Sequence, residues 1–326
     1  MGSMWRKKSG RRSKAKGPKV SLRRRILNLA LRWSEKPYLR RADPLDLRER
    51  FEKMARFWFR PPRGVTFTRR SFAAPSGPRE ALWITPENPN ANSVILYLHG
   101  GAFIFGSPET HRAMLAKLAQ LSGSMACLPR YRLAPEHPFP AGLDDALAAY
   151  QDLFEQGYSA DQIILGGDSA GGGLALALLH VLIADGQPLP AGVFCLSPLT
   201  DLTFSGESWV FNVEKEVLLP AERASELVAM YLGENDAADP RASPLFGNYT
   251  GAPPVYFAVG DSEILLDDTL RMAERLRQCS VDVSCDVALD LPHVWPLCQG
   301  LLPEADATLV QISDWIAARL AVQGDS

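Results

Sequence analysis

A single serine set between small residues is the feature that most constrains this chain. The stretch 163–173 begins with apolar side chains, stops abruptly at glycines and continues into an alanine- and leucine-rich segment. This pattern predicts a buried β-strand, a tight turn that carries Ser169, and an α-helix. The turn strains the backbone at the serine, so Gly167 and Gly171 must be small enough to let strand and helix pass closely.

Such a turn places the Ser169 hydroxyl beside the first amides of the following helix. Those amides and the helix dipole favour negative charge next to the serine. The arrangement is typical of a nucleophile elbow. A glycine-rich turn with no chemistry has the same pentapeptide pattern, because short motifs of this kind are permissive. The rest of the chain has to decide between the two interpretations.

Composition and charge limit the classes of protein to which the chain can belong. Its 326 residues contain no run of about 18 apolar residues, so we expect no membrane span. Five cysteines without metal-ligand spacing indicate a reducing compartment, and we predict a cytoplasmic location. Residues 1–25 hold 11 Lys and Arg and no acid, whereas the other residues hold 24 basic and 37 acidic side chains. A body with a formal charge of −13 argues against general nucleic-acid binding.

Strand and helix patterns alternate along most of the chain, which predicts an α/β fold with a mostly parallel sheet and helices on both faces. We expect strands near 65–72, 81–85, 94–98, 125–128, 163–166, 193–196, 255–259 and 281–288. We expect helices near 20–35, 43–60, from 108, at 140–156, from the elbow to 184, and at 221–232, 267–278 and 304–320.

The segment 203–240 interrupts this alternation between two sheet strands. An insertion there emerges at the carboxyl edge of the sheet, where ligands bind, so we assign it to a cap together with the N-terminal helices. The alternative is a peripheral excursion that packs only on itself. The expected regions are a disordered basic arm at 1–20, whose residues 1–3 resemble a tag scar, and cap helices at 21–62. An α/β core follows at 63–202 and 241–326, with the cap insertion at 203–240.

A serine hydroxyl is a weak nucleophile that needs a base oriented by a carboxylate. In folds of this type the acid and then the histidine follow the serine, at the ends of later strands. His293 satisfies this order because it follows the last predicted strand. Asp261 and Glu263 both lie on the loop after the preceding strand, and either could orient the base; Asp267 and Asp268 begin the next helix. We assign no base role to the remaining histidines, His99, His111, His137 and His180.

The third component is a set of amides for a developing oxyanion, which fixed donors stabilise as an ester carbon becomes tetrahedral. Ala170, the residue after the serine, is expected to supply one amide. Gly100, Gly101 and Ala102 directly follow a buried strand, and their absent or tiny side chains let the backbone approach a substrate. His99, just before them, is better explained as holding this loop. The two motifs together favour catalysis over a turn without chemistry.

Five motifs in a fixed order carry a resemblance to a known family. They read HGGAF at 99–103, YRLAPEHP at 131–138, GDSAGG at 167–172, SPLTD at 197–201 and DPRASPL at 239–245. Through them, residues 60–320 resemble the bacterial hormone-sensitive-lipase-like (family IV) esterases. The resemblance implies an α/β-hydrolase fold with a helical cap, and hydrolysis of carboxylic esters without a cofactor.

The resemblance also bears on single residues. Many members carry an aspartate in a Gly-x-x-Asp-x-Leu-x-Asp pattern, and here Glu263 stands at that place with Leu265 and Asp267 in register. It therefore implies Glu263 as the acid, rather than Asp261 or Asp267. Where the family usually has a third glycine this chain has Ala102, which keeps its amide but directs a methyl group toward the acyl or alcohol site.

We therefore predict a serine carboxylesterase for short- to medium-chain acyl esters, with Ser169, Glu263 and His293 as its triad. Trp209 and Phe211 of the cap insertion are predicted, from position alone, to line the pocket. The expected partner is a small ester and not nucleic acid; weak membrane-surface contact through the basic arm and a homodimer are left open. The alternatives are an amidase, lactonase or thioesterase with the same triad, and a small-molecule receptor without turnover.

Overall fold

The computed structural model describes residues 21–321, so the predicted basic arm and its tag-like start lie outside the described residues. One eight-stranded sheet forms the centre of the fold. Its strands are β1 (Val65–Phe72), β2 (Arg79–Pro86), β3 (Asn90–Leu98), β4 (Ser124–Pro129), β5 (Ile163–Asp168), β6 (Gly192–Leu196), β7 (Val255–Gly260) and β8 (Val283–Ala288).

The spatial order of the strands is β1-β2-β4-β3-β5-β6-β7-β8. β2 pairs antiparallel with both β1 and β4, whereas every pair from β4 to β8 is parallel. The predicted α/β fold with a mostly parallel sheet is confirmed. Because parallel strands end at the same edge, the loops after β3, β5, β7 and β8 emerge together.

Helices cover both faces of the sheet, which explains the continuous apolar runs in its central strands. In β3, Leu96 and Leu98 pack into the core on one face, while Ile95 and Tyr97 pack into the core on the other. β1 at the edge is instead mostly exposed and carries alternating polar residues. Because the central strands are packed on both faces, their positions are fixed, and so are the points at which their loops begin.

Eight of the α-helices that the structure describes lie close to their predicted places, whereas the short helices at 36–39 and 208–211 were not predicted. The α-helices are α1 (Leu22–Ala30), α2 (Lys36–Leu39), α3 (Asp46–Trp58), α4 (Pro108–Ser122), α5 (Ala141–Glu155), α6 (Ser169–Ala184), α7 (Ser208–Phe211), α8 (Ala224–Leu232), α9 (Leu266–Gln278) and α10 (Pro303–Ala321). Short 3₁₀ segments occur at Ala160–Gln162, Ala221–Arg223, Pro244–Phe246 and Trp295–Cys298, and a π-helical turn, Leu31–Glu35, joins α1 to α2. None of the helices within residues 21–321 is both long and apolar enough for a membrane crossing.

The N-terminal helices and the 203–240 segment contact each other, although about 180 residues separate them in sequence. Lys36 Nζ donates to the carbonyl oxygens of Val213 (3.1 Å) and Glu216 (2.7 Å). Arg223 in turn donates to the carbonyl oxygen of Leu39 at 3.0 Å. We refer to residues 21–62 and 203–240 together as the cap.

Candidate active site

The turn between β5 and α6 holds Ser169 in a strained backbone conformation, with a φ of +52°. The glycines on either side have no room for a side chain. A Cβ on Gly171 would overlap the carbonyl oxygens of Leu98 and His99, and one on Gly167 would overlap the backbone of Gly171. The close passage of strand and helix therefore requires these glycines and leaves Ser169 on the wall of a cavity under the cap.

The loops after β7 and β8 bring a carboxylate onto an imidazole. Glu263 Oε2 lies 2.6 Å from His293 Nδ1, and both side chains are buried. The other carboxylate oxygen, Oε1, accepts the Gly260 amide at 2.6 Å and the Ser197 hydroxyl at 2.8 Å. These donors fix the carboxylate, so that one oxygen is left for the histidine.

The other acidic residues of the β7–α9 loop have different partners. Asp261 Oδ1 accepts the amide of Asp290 at 2.7 Å, and Asp267 Oδ2 accepts that of Ser208 at 2.8 Å. Asp268 is fully buried; it accepts the amides of residues 200 and 201, just before the 203–240 segment, and the indole N–H of Trp209 within that segment. Among the carboxylates of this loop, the structure brings Glu263 to His293, and it uses Asp267 and Asp268 to anchor the cap.

His293 and Ser169 line the same cavity. No hydrogen bond joins the two side chains within residues 21–321, and such contacts often tighten only when substrate binds. Burial alone would lower the pKa of His293, but its hydrogen bond to Glu263 and the charges of Glu263 and Glu216 raise that pKa above its ordinary value. The surroundings thus favour a positive charge on this imidazole, as a base that accepts a proton requires.

The loop after β3 contributes to the wall of the cavity. Gly101 and Ala102, with φ of +123° and +53°, line it, and within residues 21–321 their amides have no protein acceptor. Ala170 is the second residue of α6, where an amide has no partner inside its own helix. Gly100 differs, because its amide donates to Asp168 Oδ1 at 3.0 Å. The prediction that Gly100 is an oxyanion donor is therefore wrong.

Beneath this loop lies a second histidine–carboxylate pair. His111 Nε2 lies 3.2 Å from one oxygen of Asp168 and 3.3 Å from the other. Asp168 also accepts the hydroxyl of Tyr97 at 2.9 Å. Burial lowers the pKa of His99 to about 3, and its Nδ1 contacts the carbonyl oxygen of Gly100 at 2.9 Å. His99 is thus a neutral donor that holds the loop, the role expected from its position.

This geometry agrees with comparisons to known proteins. A family model described as the α/β hydrolase fold matches residues 95–297, more than half of the chain. An acetyl-hydrolase of Streptomyces hygroscopicus is 38% identical over 224 residues, which cover 69% of this chain and 75% of the relative. An esterase of Acinetobacter venetianus is 37% identical over 227 residues, with the same two coverages.

Solved structures extend the similarity to the cap. The crystal structure of an esterase from the bacterial hormone-sensitive lipase family has 35% identity and a TM-score of 0.86, and covers 93% of this chain and 100% of its own. The crystal structure of EstE5 soaked with ethyl alcohol has 33% identity, a TM-score of 0.88 and the same coverage. The chain belongs to the hormone-sensitive-lipase-like esterases of the α/β-hydrolase superfamily. This esterase is accordingly a carboxylic ester hydrolase.

The cavity of the esterase has a volume of about 220 Å³, and most of its wall is apolar. The cap supplies that wall through apolar side chains on both of its segments. Those from the N-terminal helices are Leu31, Tyr38, Leu39, Leu47, Phe51 and Met54, and those from the insertion are Leu218, Leu219, Pro220 and Leu227.

The predicted pocket residues Trp209 and Phe211 are not among them. Trp209 Nε1 donates to Asp268 Oδ2 at 3.0 Å, which fastens the insertion to α9. Phe211 lies on the surface, 69% exposed. That prediction is wrong, because it rested on position in the insertion, whereas the amphipathic stripe of α3 carried the signal for the pocket.

The sequence predicts no role for two residues of the esterase site. Ser197 holds Glu263, and its only signal was its place in the SPLTD motif at the end of β6. Glu216 is buried and accepts the amides of Leu218 at 2.8 Å and Leu219 at 3.2 Å, while its second oxygen accepts that of Ile264 at 3.3 Å. It therefore links the cavity wall in the cap to the loop of Glu263.

Proposed function

We propose that this esterase hydrolyses short- to medium-chain acyl esters by a serine mechanism, with Ser169 as nucleophile, His293 as general base and Glu263 as the acid that orients it. The observation that carries the proposal is the 2.6 Å contact between Glu263 Oε2 and His293 Nδ1. A carboxylate there keeps the proton on Nδ1, so that the lone pair is on Nε2 and available to the serine hydroxyl.

The reaction then has two halves. Nε2 of His293 takes the proton of Ser169 as Oγ attacks the ester carbonyl, and the charge that develops on the carbonyl oxygen is stabilised by the amides of Gly101, Ala102 and Ala170. His293 returns the proton to the departing alcohol, which leaves an acyl-enzyme. Water, deprotonated by the same imidazole, attacks the acyl carbon; the acyl–Oγ bond then breaks, His293 returns the proton to Ser169 Oγ, and the carboxylic acid leaves.

The size and polarity of the cavity support the acyl range. A volume of about 220 Å³ with a mainly apolar wall suits short alkyl chains better than charged groups. The charged side chains along its cap side are already paired, since Arg50 bonds Glu35 at 2.8 Å and Arg223 bonds Glu226 at 2.7 Å. The acetyl-hydrolase named among the relatives is consistent with a small acyl group.

A substitution of the nucleophile tests the proposal. Ser169→Ala should reduce kcat for p-nitrophenyl butyrate by about 10⁵-fold, because the acyl-enzyme can no longer form. Ser71→Ala, on the exposed edge strand β1, is the matched control and should hydrolyse the ester at the wild-type rate. Circular dichroism and the melting temperature of both variants establish that the fold is retained. Turnover by Ser169→Ala within tenfold of wild type would refute the mechanism.

The substrate class requires a separate assay with the wild-type enzyme. We expect kcat/KM to be higher for the butyrate than for the dodecanoate p-nitrophenyl ester, and higher for esters than for the matched anilide, lactone or thioester. A preference for one of the latter three would assign the same triad to an amidase, lactonase or thioesterase. Binding without turnover of any of them would identify a receptor.

Two further proposals concern the cellular location and the oligomeric state of the enzyme. A cytoplasmic location is supported by the five cysteines, which are all free thiols, Cys127 and Cys195 being buried. Fractionation of cells that express the protein tests it. A homodimer stays a prediction, for which light scattering of the purified protein is the direct measurement.

A further inference from the structure

Helix α1 packs on the body of the esterase with a polar face. Its buried Arg24 donates to the carbonyl oxygen of Leu289, and Asn28 Nδ2 donates to that of Asp290 at 3.0 Å. Leu27 completes this inner face by packing against the core. An amphipathic helix of a globular protein usually turns its apolar stripe inward. Here the inner contact is made largely by hydrogen bonds.

The apolar stripe of α1 is on the opposite side and faces solvent. Leu22, Ile26 and Leu29 follow each other at spacings of four and three residues, which places them on one face of a helix. They are 71%, 59% and 58% exposed, and Trp33 in the π-helical turn that follows is 76% exposed. We call these four residues the outer stripe. Nothing in the described part of the chain covers it.

In the sequence, the charge before and along the outer stripe is uniformly basic. Residues 1–34 contain 12 Lys and Arg and no Asp or Glu, whereas residues 35–326 contain 23 basic and 37 acidic side chains. On α1 itself, Arg23 and Arg25 stand one residue from the stripe positions and flank it on either side. An anionic surface would therefore attract this end of the molecule and repel the acidic remainder.

From these observations we propose that the outer stripe and the basic segment before it bind the esterase to an anionic phospholipid surface. An exposed apolar face bordered by Lys and Arg is the pattern of helices that lie in a membrane interface, where apolar burial and attraction to anionic headgroups act together. The helix would lie on the surface, and no crossing is involved.

This surface adjoins the active-site cavity. Leu31, which follows α1 directly, and Tyr38 and Leu39 of α2 line the cavity wall. A lipid-bound outer stripe would therefore hold that wall near the membrane, and ester substrates that partition into lipid would be concentrated beside it. The binding itself is independent of the proposed serine mechanism, so the two can fail separately.

Co-sedimentation of the full chain with lipid vesicles tests the proposal. We expect binding to vesicles of phosphatidylcholine with phosphatidylglycerol, little binding to phosphatidylcholine alone, and weaker binding as salt rises from about 0.1 M to about 0.5 M, since salt screens the attraction. The triple variant Ile26→Ser/Leu29→Ser/Trp33→Ser should lower the partition coefficient by about tenfold or more.

The control variant alters another exposed apolar pair. Val210→Ser/Phe211→Ser changes side chains that are 74% and 69% exposed on α7, which is flanked in sequence by Glu207 and Glu214, and should bind vesicles like wild type. All three proteins should hydrolyse dissolved p-nitrophenyl butyrate equally, because none of the changed residues lines the cavity.

Three results would overturn the proposal. The first is equal binding to vesicles with and without phosphatidylglycerol, and the second is undiminished binding by the triple variant. The third is a wild-type dimer that the triple variant converts to a monomer, as seen by light scattering, with vesicle binding absent from both. That last result would assign the outer stripe to a second copy of the chain.

Discussion

The esterase contains two buried histidine–carboxylate pairs near Ser169, and they differ in how many ring nitrogens of the imidazole already have a hydrogen-bond partner. In one pair, His293 Nδ1 bonds Glu263, and within residues 21–321 Nε2 has no hydrogen-bond partner. In the other, His111 Nδ1 lies 2.7 Å from Thr110 Oγ1, while Nε2 contacts Asp168. Both nitrogens of His111 are therefore engaged, and it cannot take a proton from a serine.

The carboxylates differ in the same way. Asp168 divides its oxygens among Tyr97, the Gly100 amide and His111, three groups on three segments. Glu263 instead receives its backbone and hydroxyl donors on Oε1 alone, which reserves Oε2 for His293. A histidine beside an acid is thus not by itself a catalytic device. In our proposal the first pair moves protons, whereas the second clamps the oxyanion loop.

Substituting each histidine with alanine should affect two different properties, catalysis in one variant and stability in the other. His293→Ala should reduce kcat for p-nitrophenyl butyrate by about 10⁵-fold, because Ser169 loses its base. His111→Ala should lower the free energy of unfolding by about 2 to 3 kcal/mol, since a buried carboxylate loses a donor and a cavity opens. Its turnover per folded molecule should stay within about tenfold of wild type. Urea unfolding and active-site titration measure the two quantities.

An exchange of phenotypes between the two variants would refute this division of roles. A His111→Ala enzyme that is stable but inactive would make the second pair part of the chemistry. A His293→Ala enzyme that loses stability and keeps its turnover would reduce the first pair to a clamp.

The carboxylates offer a smaller contrast. Glu263→Gln should lower kcat by about 10³- to 10⁴-fold, because an amide no longer fixes the tautomer or stabilises the imidazolium. Asp261→Asn is the matched change two residues away, and we expect a loss of less than about threefold, since Asp261 bonds the backbone of Asp290. The reverse ranking, measured with the same ester, would transfer the role of the acid to Asp261.

Much of the first pair could be predicted from the sequence, because strand order and motif spacing determine it. Ser169, His293 and the pair of candidates Asp261 and Glu263 followed from loops at the ends of β5, β7 and β8, whereas the choice of Glu263 came from the family resemblance. Those loops share one edge of a parallel sheet, so their convergence is a consequence of topology. The strands themselves were visible as apolar runs buried on two faces.

The cap was harder to predict, because its contacts depend on tertiary packing that no local pattern encodes. Trp209 was expected in the pocket and instead hydrogen-bonds Asp268. Gly100 was expected to offer its amide to substrate, but Asp168, 68 residues away, already accepts it. Glu216 carries no motif at all; its role depends on a fold that brings residues 216–219 beside Ile264.

The pH dependence of activity reports how the pKa of His293 in the first pair is set. The acid limb of kcat/KM reports the pKa of the base in the free enzyme, and the base is active when neutral. Burial lowers the pKa of His293, but Glu263 and then Glu216 raise it, with the net result above its ordinary 6.5. Activity should therefore fall, as pH decreases, from a point above 6.5.

Glu216→Gln removes one of the charges that raise this pKa. The pKa of His293 should therefore fall, the imidazole should stay neutral to lower pH, and the acid limb should move to lower pH. The amide can still accept the Leu218 and Leu219 amides through its oxygen, which preserves the turn. Glu214→Gln, exposed two residues earlier, controls for net charge and should leave the limb in place. Profiles for p-nitrophenyl butyrate at constant ionic strength measure the shift. A limb that stays fixed in Glu216→Gln, or moves to higher pH, would show that Glu216 does not tune the pKa of His293, and this residue of the cap would then have no electrostatic part in catalysis.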